Sequence, residues 1–380
     1  MDPPIEGECE ELSKVLKRRA LCLRLVRGLT LKKGSFTIQD VVEETGLPRT
    51  TVQDWIRRLV DEGLVTIVEE AVGRRPARYA YVERDVFPYP ACKRIFTSVD
   101  LDNGLVEIYH ECSSEGAVIF CAFKHSKAGG AVLESRYEGA FLRELAVLGE
   151  QRKVASESSM AVEKVEVSGG KVLQTIRAVG GPAHALTETM MFAQGVRELR
   201  VEQVEGYVRG IITTDCLEHL TIGIDDTDTV ESGATWALAL SLLKDLEGIA
   251  EGISHKVVLL NPNVKYKTAG NAASFIEVAA PPERVGSIVS RIINIVEKKT
   301  YSENTAIAVL KGLTIPEKLK IFANRVRKME VTVKEAEDAA KKTGVSVYEV
   351  TGKRGIIGAI ASLAFFRSSP EVLINYNASL

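Results

Sequence analysis

The sequence is poor in the residues that would identify a metal centre or a membrane protein. Its six cysteines form no CxxC pair and only five histidines accompany them. A zinc ribbon is therefore not expected, and scattered reduced thiols are typical of a cytoplasmic protein. No run approaches the roughly 18 apolar residues of a membrane span, and basic residues interrupt the first apolar segment, unlike in a signal peptide. We expect a cytoplasmic protein without membrane contact.

Composition and charge are those of a globular protein rather than of a protein whose whole surface binds nucleic acid. The 380 residues are 45% hydrophobic and 26% charged, which is enough apolar material for two or three cores. The formal net charge of −2 hides one basic stretch, residues 14–33, that contains no acid. This distribution indicates a multidomain chain with local basic patches.

Residues 1–86 are predicted to form a winged helix. Helical spacing predicts helices over 11–33, 37–44 and 49–62, and strands over 64–70 and 78–82 are joined by a basic tip at 73–76. This order resembles the winged helix-turn-helix of many prokaryotic regulators. The resemblance implies nucleic-acid contacts from the third helix and the tip, through Arg49, Thr50, Thr51, Gln53, Arg57, Arg74 and Arg75. Use for dimerisation or RNA contact is the alternative, since the segment carries as many acids as bases.

Residues 87–217 are predicted to form a β-rich domain that follows a proline-containing linker at 87–90. Strand-like runs occur over 95–99, 105–109, 117–123 and 172–179, a hairpin turn is expected at 102–104, and residues 188–199 are a candidate helix. Two histidines and two cysteines lie close in sequence, at His110, Cys112, Cys121 and His125. Their spacing fits no zinc pattern, and no other chemical motif is evident in this region.

From residue 219 onward strands and helices alternate, which is typical of α/β layers. The expected strands are 220–224, 257–260, 274–278, 305–310 and 345–350, and the expected helices are 234–246, 281–296, 333–342 and 360–366. Thr332 and Glu335 form a predicted capping box. A basic, glycine-rich turn at 352–358 opens the last helix, where it either binds an anion or permits close helix-on-sheet packing.

The strand at 220–224 ends in three carboxylates, Asp225, Asp226 and Asp228, followed by the hydroxyl of Thr235. A solvated turn would need only one aspartate, and neighbouring carboxylates repel one another. Residues 226–230 match the DxDx(T/V) signature of haloacid-dehalogenase-type phosphatases, but the later acidic pair that those enzymes need is missing. The third interpretation is a site for Mg²⁺ and phosphate.

Four sequence blocks in order resemble the archaeal tRNA-Ile agmatinylcytidine synthetase. They are residues 222–228 with Thr235, 260–271, 304–305 and 354–359. The resemblance covers about residues 219–380 and implies an ATP-dependent kinase-like domain followed by a ferredoxin-like segment. The methanogenesis marker protein 11 family is similar to the same region, preceded by a different N-terminal part.

The resemblance also implies roles for individual residues. Asp225, Asp226 and Asp228 would hold Mg²⁺ at ATP, and Thr235 stands at the place of a phosphorylated threonine. Together with Asp226 and Lys267, Thr235 forms the expected catalytic set. The other expected ATP contacts are Asn261, Asn263, Thr268, Gly270, Asn271, Lys353, Arg354 and Gly355.

Two departures weaken the likeness to the synthetase. Ala269 replaces a usual arginine, and Trp236 replaces a second threonine. The nucleic-acid-binding and zinc-ribbon modules of the synthetase are also expected to have no counterpart here. The specific reaction, which joins agmatine to a tRNA cytidine, is therefore not implied.

We predict an α/β and α+β multidomain protein with four parts: a winged helix at 1–86, a β-rich domain at 87–217, a kinase-like ATP and Mg²⁺ domain at 218–315 and a ferredoxin-like segment at 316–380. The predicted function is an ATP- and Mg²⁺-dependent phosphotransfer or ligase-type reaction. The alternative is a DNA-binding regulator whose enzyme-like domain only senses a nucleotide. Expected partners are a nucleotide and DNA or RNA, and a homodimer is left open.

Overall fold

The computed structural model describes residues 21–380 apart from 24, 31, 74, 83–90, 150, 151, 189 and 379. Contacts divide the chain into two compact units. One holds the residues up to Ala91 together with His184–Phe192, and the other holds Cys92–Ala183 and Ala193–Leu380. No helix within the described ranges is long and apolar enough to cross a membrane.

The first unit has the element order of a winged helix. Residues 21–23 and 25–30 are helical, and the later elements are helices α1 (Ile38–Thr45) and α2 (Arg49–Asp61) and strands β1 (Val65–Glu69) and β2 (Arg78–Tyr81). The two strands pair antiparallel as the wing. The predicted helix start at residue 11 and the linker at 87–90 lie outside the described residues.

Helix α1 is defined at both ends by its own sequence. Thr37 and Asp40 form a capping box, in which the Asp40 carboxylate accepts the Thr37 N–H at 2.7 Å. Gly46 ends the helix with a φ of 64°, a left-handed conformation that favours glycine. Below the helices lies a core shared by every element of the unit, formed by Val26, Phe36, Val41, Val52, Ile56, Leu59 and Tyr81.

The second unit is built on one connected sheet, to which the described residues contribute twelve strands. They are β3 (Cys92–Asp100), β4 (Leu105–Cys112), β5 (Val132–Glu138), β6 (Phe141–Val147), β7 (Met160–Ser168), β8 (Lys171–Ala178), β9 (Glu198–Val204), β10 (Tyr207–Asp225), β11 (Glu251–Leu259), β12 (Ala272–Ala280), β13 (Ala306–Lys311) and β14 (Ser346–Glu349). The main path runs β11-β12-β10-β3-β4-β6-β5. The mixed α/β multidomain prediction is confirmed at this level.

Helices cover both faces of the C-terminal half of this sheet. The unit contains α3 (Glu115–His125), α4 (Gly181–Glu188, which continues into the first unit), α5 (Thr235–Asp245), α6 (Val285–Lys299), α7 (Glu317–Lys328), α8 (Val333–Thr343), α9 (Ile356–Leu363) and α10 (Pro370–Ile374). Helices α5 and α6 share one core with Leu220, Ile222 and Ile224 of β10. Helices α7, α8 and α9 form the opposite core with β12 and β13.

Strand β10 joins the middle of the chain to its C-terminal part. Its first half pairs with β8 and β9, and its second half pairs with β12 and β13. The strand therefore crosses the boundary predicted at 217/218. At Gly223 the chain has no room for a side chain, since a Cβ would lie 2.1 Å from the carbonyl oxygen of Ala359 in α9. This close approach brings α9 directly against the strand that ends at Asp225.

Two sequence predictions for the middle region are wrong. Residues 117–123, predicted as a strand, lie in α3, because Ser114 caps the helix by accepting the Ala117 N–H and because Val118 and Ala122 bury one face. Residues 188–199, a predicted helix, hold only the end of α4, a short turn at Met190–Phe192 and the start of β9. A short apolar run does not distinguish a strand from a buried helix.

A buried ion network connects β4 and β6 with β10 and β12. The guanidinium of Arg143 lies 2.9 Å from Glu107 and 2.8 Å from Glu277, and all three side chains are fully buried. His219 Nε2 lies 3.1 Å from Glu277. The network spans residues 107 to 277, and the regions for which the sequence predicted separate domains, 87–217 and 218–315, lie in one compact unit from Cys92 onward, apart from residues 184–192.

Candidate active site

Strand β10 ends at a carboxyl group that packs against helix α9. Asp225 Oδ2 fills the space beside Gly358, where a Cβ would lie only 2.0 Å away. Burial of the carboxyl and the negative charges of Asp226 and Asp228 raise the pKa of Asp225 to about 8, against the opposing effect of Arg354. A cation placed among these three carboxylates would relieve their repulsion.

Asp226 is held in an unusual backbone conformation. Its φ of 58° is in the left-handed region, and within the described residues no other non-glycine residue has a positive φ. Thr305 Oγ1 donates to its carbonyl at 2.7 Å, while Ser302 Oγ and Arg354 Nε donate to its two carboxylate oxygens at 2.7 and 2.8 Å. Strained residues that several neighbours hold in place are concentrated at functional sites.

Asp228 is connected to Thr235, the first residue of α5. Thr235 Oγ1 donates to Asp228 Oδ1 at 2.9 Å and accepts from Thr227 Oγ1 at 3.0 Å. Thr268 Oγ1 lies 3.4 Å from the other oxygen of Asp228. Thr235 is only 7% exposed and lies behind Asp228, so the structure places its hydroxyl beside the acidic loop but not on the cavity wall.

The acidic loop opens into a cavity of about 340 Å³. Its wall combines carboxylates, cations and one exposed aromatic ring, contributed by Asp225, Asp226, Asp228, Lys265, Tyr266, Lys267, Thr268, Gly270, Asn271, Ser302 and Arg354. The Arg354 guanidinium lies 5.0 Å from the centre of the Tyr266 ring. The Lys267 ammonium donates to the carbonyl of Pro262. This mixture of charges suits a metal–phosphate complex.

The asparagines of the 261–271 loop divide into lining and supporting residues. Asn271 lines the cavity and donates to the carbonyl of Asn261 at 2.7 Å. Asn261 accepts the Asn263 N–H at 2.9 Å and is largely buried. Asn261 and Asn263 therefore shape the loop and do not line the cavity.

The glycine-rich block contributes one side chain to the cavity. Arg354 lines it, whereas Lys353 points to Glu337 and Glu349 at 3.3 and 3.0 Å, and these hydrogen bonds raise the pKa of Lys353. At Gly355 a Cβ would lie 2.7 Å from the carbonyl oxygens of Asn304 and Asp225. Close helix-on-sheet packing accounts for this glycine.

The donor atoms at the cavity fit a Mg²⁺ ion that is completed by phosphate and water. Mg²⁺ prefers hard oxygen ligands and usually takes only one or two of them from protein carboxylates. Asp226 and Asp228 supply such oxygens at the cavity wall. No group of three histidine, cysteine or acidic side chains among the described residues forms a metal cluster by itself.

The predicted nucleic-acid residues of the winged helix are largely exposed. Arg49, Thr50 and Gln53 face solvent on α2, and Thr51 is half-buried. Arg57 is exposed and lies 2.7 Å from Asp54. Arg75 is exposed at the wing tip, and Arg74 lies outside the described residues.

Sequence reasoning missed Ser302, Lys265 and Tyr266. The usable signal for Ser302 is its position in a polar segment directly before β13, the strand that pairs with the end of β10. Lys265 and Tyr266 belong to the polar loop already singled out. A second, larger cavity of about 1100 Å³ lies elsewhere on this unit, where Arg94 and Arg197 are already paired with acids.

Two family models match this chain. The model described as the TiaS TCKD domain matches residues 221–304. The model described as sugar-specific transcriptional regulator TrmB matches residues 29–85. The first match contains the acidic loop and most of the cavity wall, and the second coincides with the winged helix.

The curated relatives are of two kinds. MJ0921, an uncharacterised protein of Methanocaldococcus jannaschii, is 28% identical over 278 residues, which cover 71% of this chain and 92% of that protein. The isoleucine-tRNA 2-agmatinylcytidine synthetase TiaS of Pyrococcus horikoshii is 35% identical over 151 residues, which cover 38% of this chain and 35% of the synthetase. This chain therefore matches about a third of the TiaS relative. The longer match to MJ0921 extends N-terminal of residue 219.

Solved structures of TiaS match a similar share of the chain. The complex of TiaS with its isoleucine tRNA and ATP is 26% identical, covers 38% of this chain and 36% of that chain, and has a TM-score of 0.35. The complex of TiaS with the same tRNA, AMPCPP and agmatine is 25% identical with the same coverage and a TM-score of 0.33. By sequence, this chain is homologous to TiaS over the part that holds the acidic cavity, and it carries a TrmB-type winged helix at residues 29–85.

Proposed function

We propose that the acidic cavity binds ATP with Mg²⁺ and carries out a phosphotransfer or ligase-type reaction on an RNA acceptor. The observation that carries this proposal is the arrangement around Asp226, whose strained backbone and fixed carboxylate contact Arg354 on a cavity wall that also holds Lys265 and Lys267. The homology to a tRNA-modifying synthetase that uses this domain supports RNA as the acceptor class.

The residues of this chain have separate tasks in the proposed reaction. Lys265, Lys267 and Arg354 bind phosphate oxygens and stabilise the charge that develops during transfer. Asp226 and Asp228 hold the metal, and Mg²⁺, when bound, neutralises phosphate oxygens. Because Arg354 already contacts Asp226, the ATP phosphates compete with that carboxylate for the guanidinium. Although Ala269 replaces the usual arginine of the synthetase, Arg354 places a guanidinium at this cavity.

Thr235 has two tasks open to it. Its hydroxyl orients the Asp228 carboxylate through a 2.9 Å hydrogen bond, and the same bond lets Asp228 accept the threonine proton if Thr235 receives a phosphoryl group. Phosphorylation requires Thr235 to become exposed, since it does not line the cavity. Intact-mass measurement after incubation with ATP distinguishes the two tasks. If Thr235 is phosphorylated, wild type gains the mass of a phosphoryl group and Thr235→Ala does not.

The test of the main proposal is ATP turnover by the full chain with and without Mg²⁺, with RNA from an archaeal host. We expect turnover that needs Mg²⁺ and falls by at least about 100-fold in Asp226→Asn, because the variant removes a metal ligand. The products identify the step: ADP indicates phosphoryl transfer, and AMP with pyrophosphate indicates adenylyl transfer. Arg200→Ala, which removes an exposed arginine paired with Glu198, is the control and should keep wild-type turnover.

A second function is favoured by the match of residues 29–85 to the TrmB model. In this alternative the winged helix binds DNA and the cavity only senses a nucleotide. A promoter fragment whose mobility shift changes with ATP, combined with tight ATP binding and no turnover, would establish the regulator and reject the enzyme. Arg49→Ala and Arg57→Ala should then abolish the shift, since both side chains are exposed on α2.

A further inference from the structure

Helix α3 carries an exposed apolar face that no described element covers. Its buried side, Val118 and Ala122, packs on Leu142 of β6. Its outer side exposes 60% of Phe120 and 55% of Phe123, and Ile119 is half exposed beside them. Side chains three and four residues apart share a helix face, so these residues form one continuous surface.

A lysine lies against each of the two rings. The Lys124 ammonium is 5.6 Å from the centre of the Phe120 ring, and the Lys127 ammonium is 4.0 Å from the centre of the Phe123 ring. Both lysines are exposed, and neither is ion-paired with an acid in the part of the chain that the structure describes. The surface therefore offers positive charge and aromatic faces together.

Neighbouring parts of the fold surround the helix. Tyr137, 54% exposed, is paired across strands β5 and β6 with Leu142, so it lies on the sheet face that α3 covers. The loop after α3 pairs with residue 154 through Gly129, which brings the exposed Lys153 to the same end of the helix. At Gly116, one turn before Phe120, a Cβ would meet only the Ser114 hydroxyl, which leaves room beside the ring.

From this arrangement we infer that the outer face of α3, with Phe120, Phe123, Lys124 and Lys127, is a binding surface for single-stranded RNA. Unpaired bases stack on exposed aromatic rings, and lysines beside the rings neutralise the phosphates. A second copy of this chain is a poor occupant, because two such faces would bring lysines against lysines. RNA rather than DNA is chosen because the relatives that share the 221–304 domain act on tRNA.

This inference supplies an RNA-binding surface for the proposed function but does not depend on it. Binding is measured without ATP, so a chain that hydrolyses no ATP can still bind RNA, and an active ATPase can fail to bind it. The probe is a fluorescently labelled 12-nucleotide RNA without secondary structure, titrated with the full chain and followed by anisotropy. The same sequence as DNA is the comparison.

The substitutions separate stacking from apolar contact. We expect Phe120→Leu with Phe123→Leu to weaken RNA binding by about fivefold or more per ring, since leucine keeps the apolar surface but removes the stacking face. Phe120→Tyr with Phe123→Tyr should retain binding. Lys124→Ala with Lys127→Ala should weaken binding and reduce its salt dependence. Lys341→Ala with Lys342→Ala, an equal charge change on α8, is the control and should bind normally.

Several results would overturn the inference. They are absence of RNA binding at low salt, full binding by the leucine variant, tighter binding of the DNA, and equal weakening by the α8 control. If sedimentation shows a dimer that is lost in the leucine variant, the face mediates self-association. The inference of RNA binding is then rejected. Circular dichroism of each variant confirms that the altered side chains, which are all exposed, leave the fold intact.

Discussion

Two groups of carboxylates on the same sheet have opposite electrostatic surroundings. Burial raises the pKa of both Glu107 and Glu277, but adjacent cations, Arg143 above all, hold each pKa well below its usual range. At the end of β10, burial and two neighbouring aspartates raise the pKa of Asp225 to about 8. Burial alone does not decide the sign of the shift; the charge of the nearest groups does.

This difference in electrostatic surroundings indicates different roles: the buried network stabilises the fold, and the acidic loop is the candidate functional site. In the buried network each carboxylate has a cation partner, so the charges hold the two halves of the second unit together. In the acidic loop Arg354 contacts Asp226, but the nearby carboxylates still raise the pKa of Asp225, and a bound metal would supply further positive charge. Incompletely balanced negative charge is tolerated at a site that binds a cation.

The largest expected effect comes from removing the cation of the buried network. Arg143→Met leaves Glu107 and Glu277 buried without their main partner, and we expect a loss of about 3–5 kcal/mol in the free energy of unfolding. Urea denaturation followed by circular dichroism measures it. Arg200→Ala, which breaks only an exposed pair, should change stability by less than about 1 kcal/mol. Equal losses in the two variants would show that the network does not stabilise the fold.

A smaller effect is expected at Asp40, a carboxylate that is paired but only partly buried. Burial opposes ionisation and is the largest single effect, but the hydrogen bonds from Lys33 and Thr37 together outweigh it and lower the pKa of Asp40 to about 2. Because the folded value lies below that of an unfolded aspartate, about 3.9, its stabilisation is complete above pH 4 and is lost as the pH falls to 2. The stability difference between wild type and Asp40→Asn should therefore shrink over this range. A difference that does not depend on pH would contradict the capping assignment.

The smallest effect on stability is expected at Asp225 itself. Asparagine fills the same space beside Gly358 and carries no charge to desolvate, so Asp225→Asn should change the free energy of unfolding by less than about 1 kcal/mol. Because Asp225 is the third carboxylate on the cavity wall, the same variant should lose Mg²⁺-dependent ATP turnover. A large destabilisation would mean that Asp225 is a structural residue like Glu277 and would remove the contrast between the two groups.

Local signals in the sequence located much of the fold. The capping box predicted at Thr332 is present in the structure, and Thr37 forms a second one that was not predicted. Left-handed glycines, Gly46 and Gly344, end both helices. The turn at 102–104 joins β3 and β4. Such features depend on a few adjacent residues, so they can be predicted without knowledge of the tertiary structure. Helix α3 was missed because its apolar run is short and its cap at Ser114 was not recognised.

The sequence alone also determined where to look for the site. Three carboxylates after a buried strand, with four blocks in a familiar order, pointed to Asp225, Asp226 and Asp228 and to the loop at 261–271. These signals lie within single segments of chain, and they depend on residue type and spacing.

Only the tertiary structure decided which residues meet at that site. Ser302 and Arg354 reach Asp226 from 76 and 128 residues away, while Lys353, next to Arg354 in the chain, points elsewhere. The cation beside a buried carboxylate, such as Arg143 beside Glu277, is likewise set by strand register and helix packing. Those contacts join distant segments, and no local pattern in the sequence encodes them.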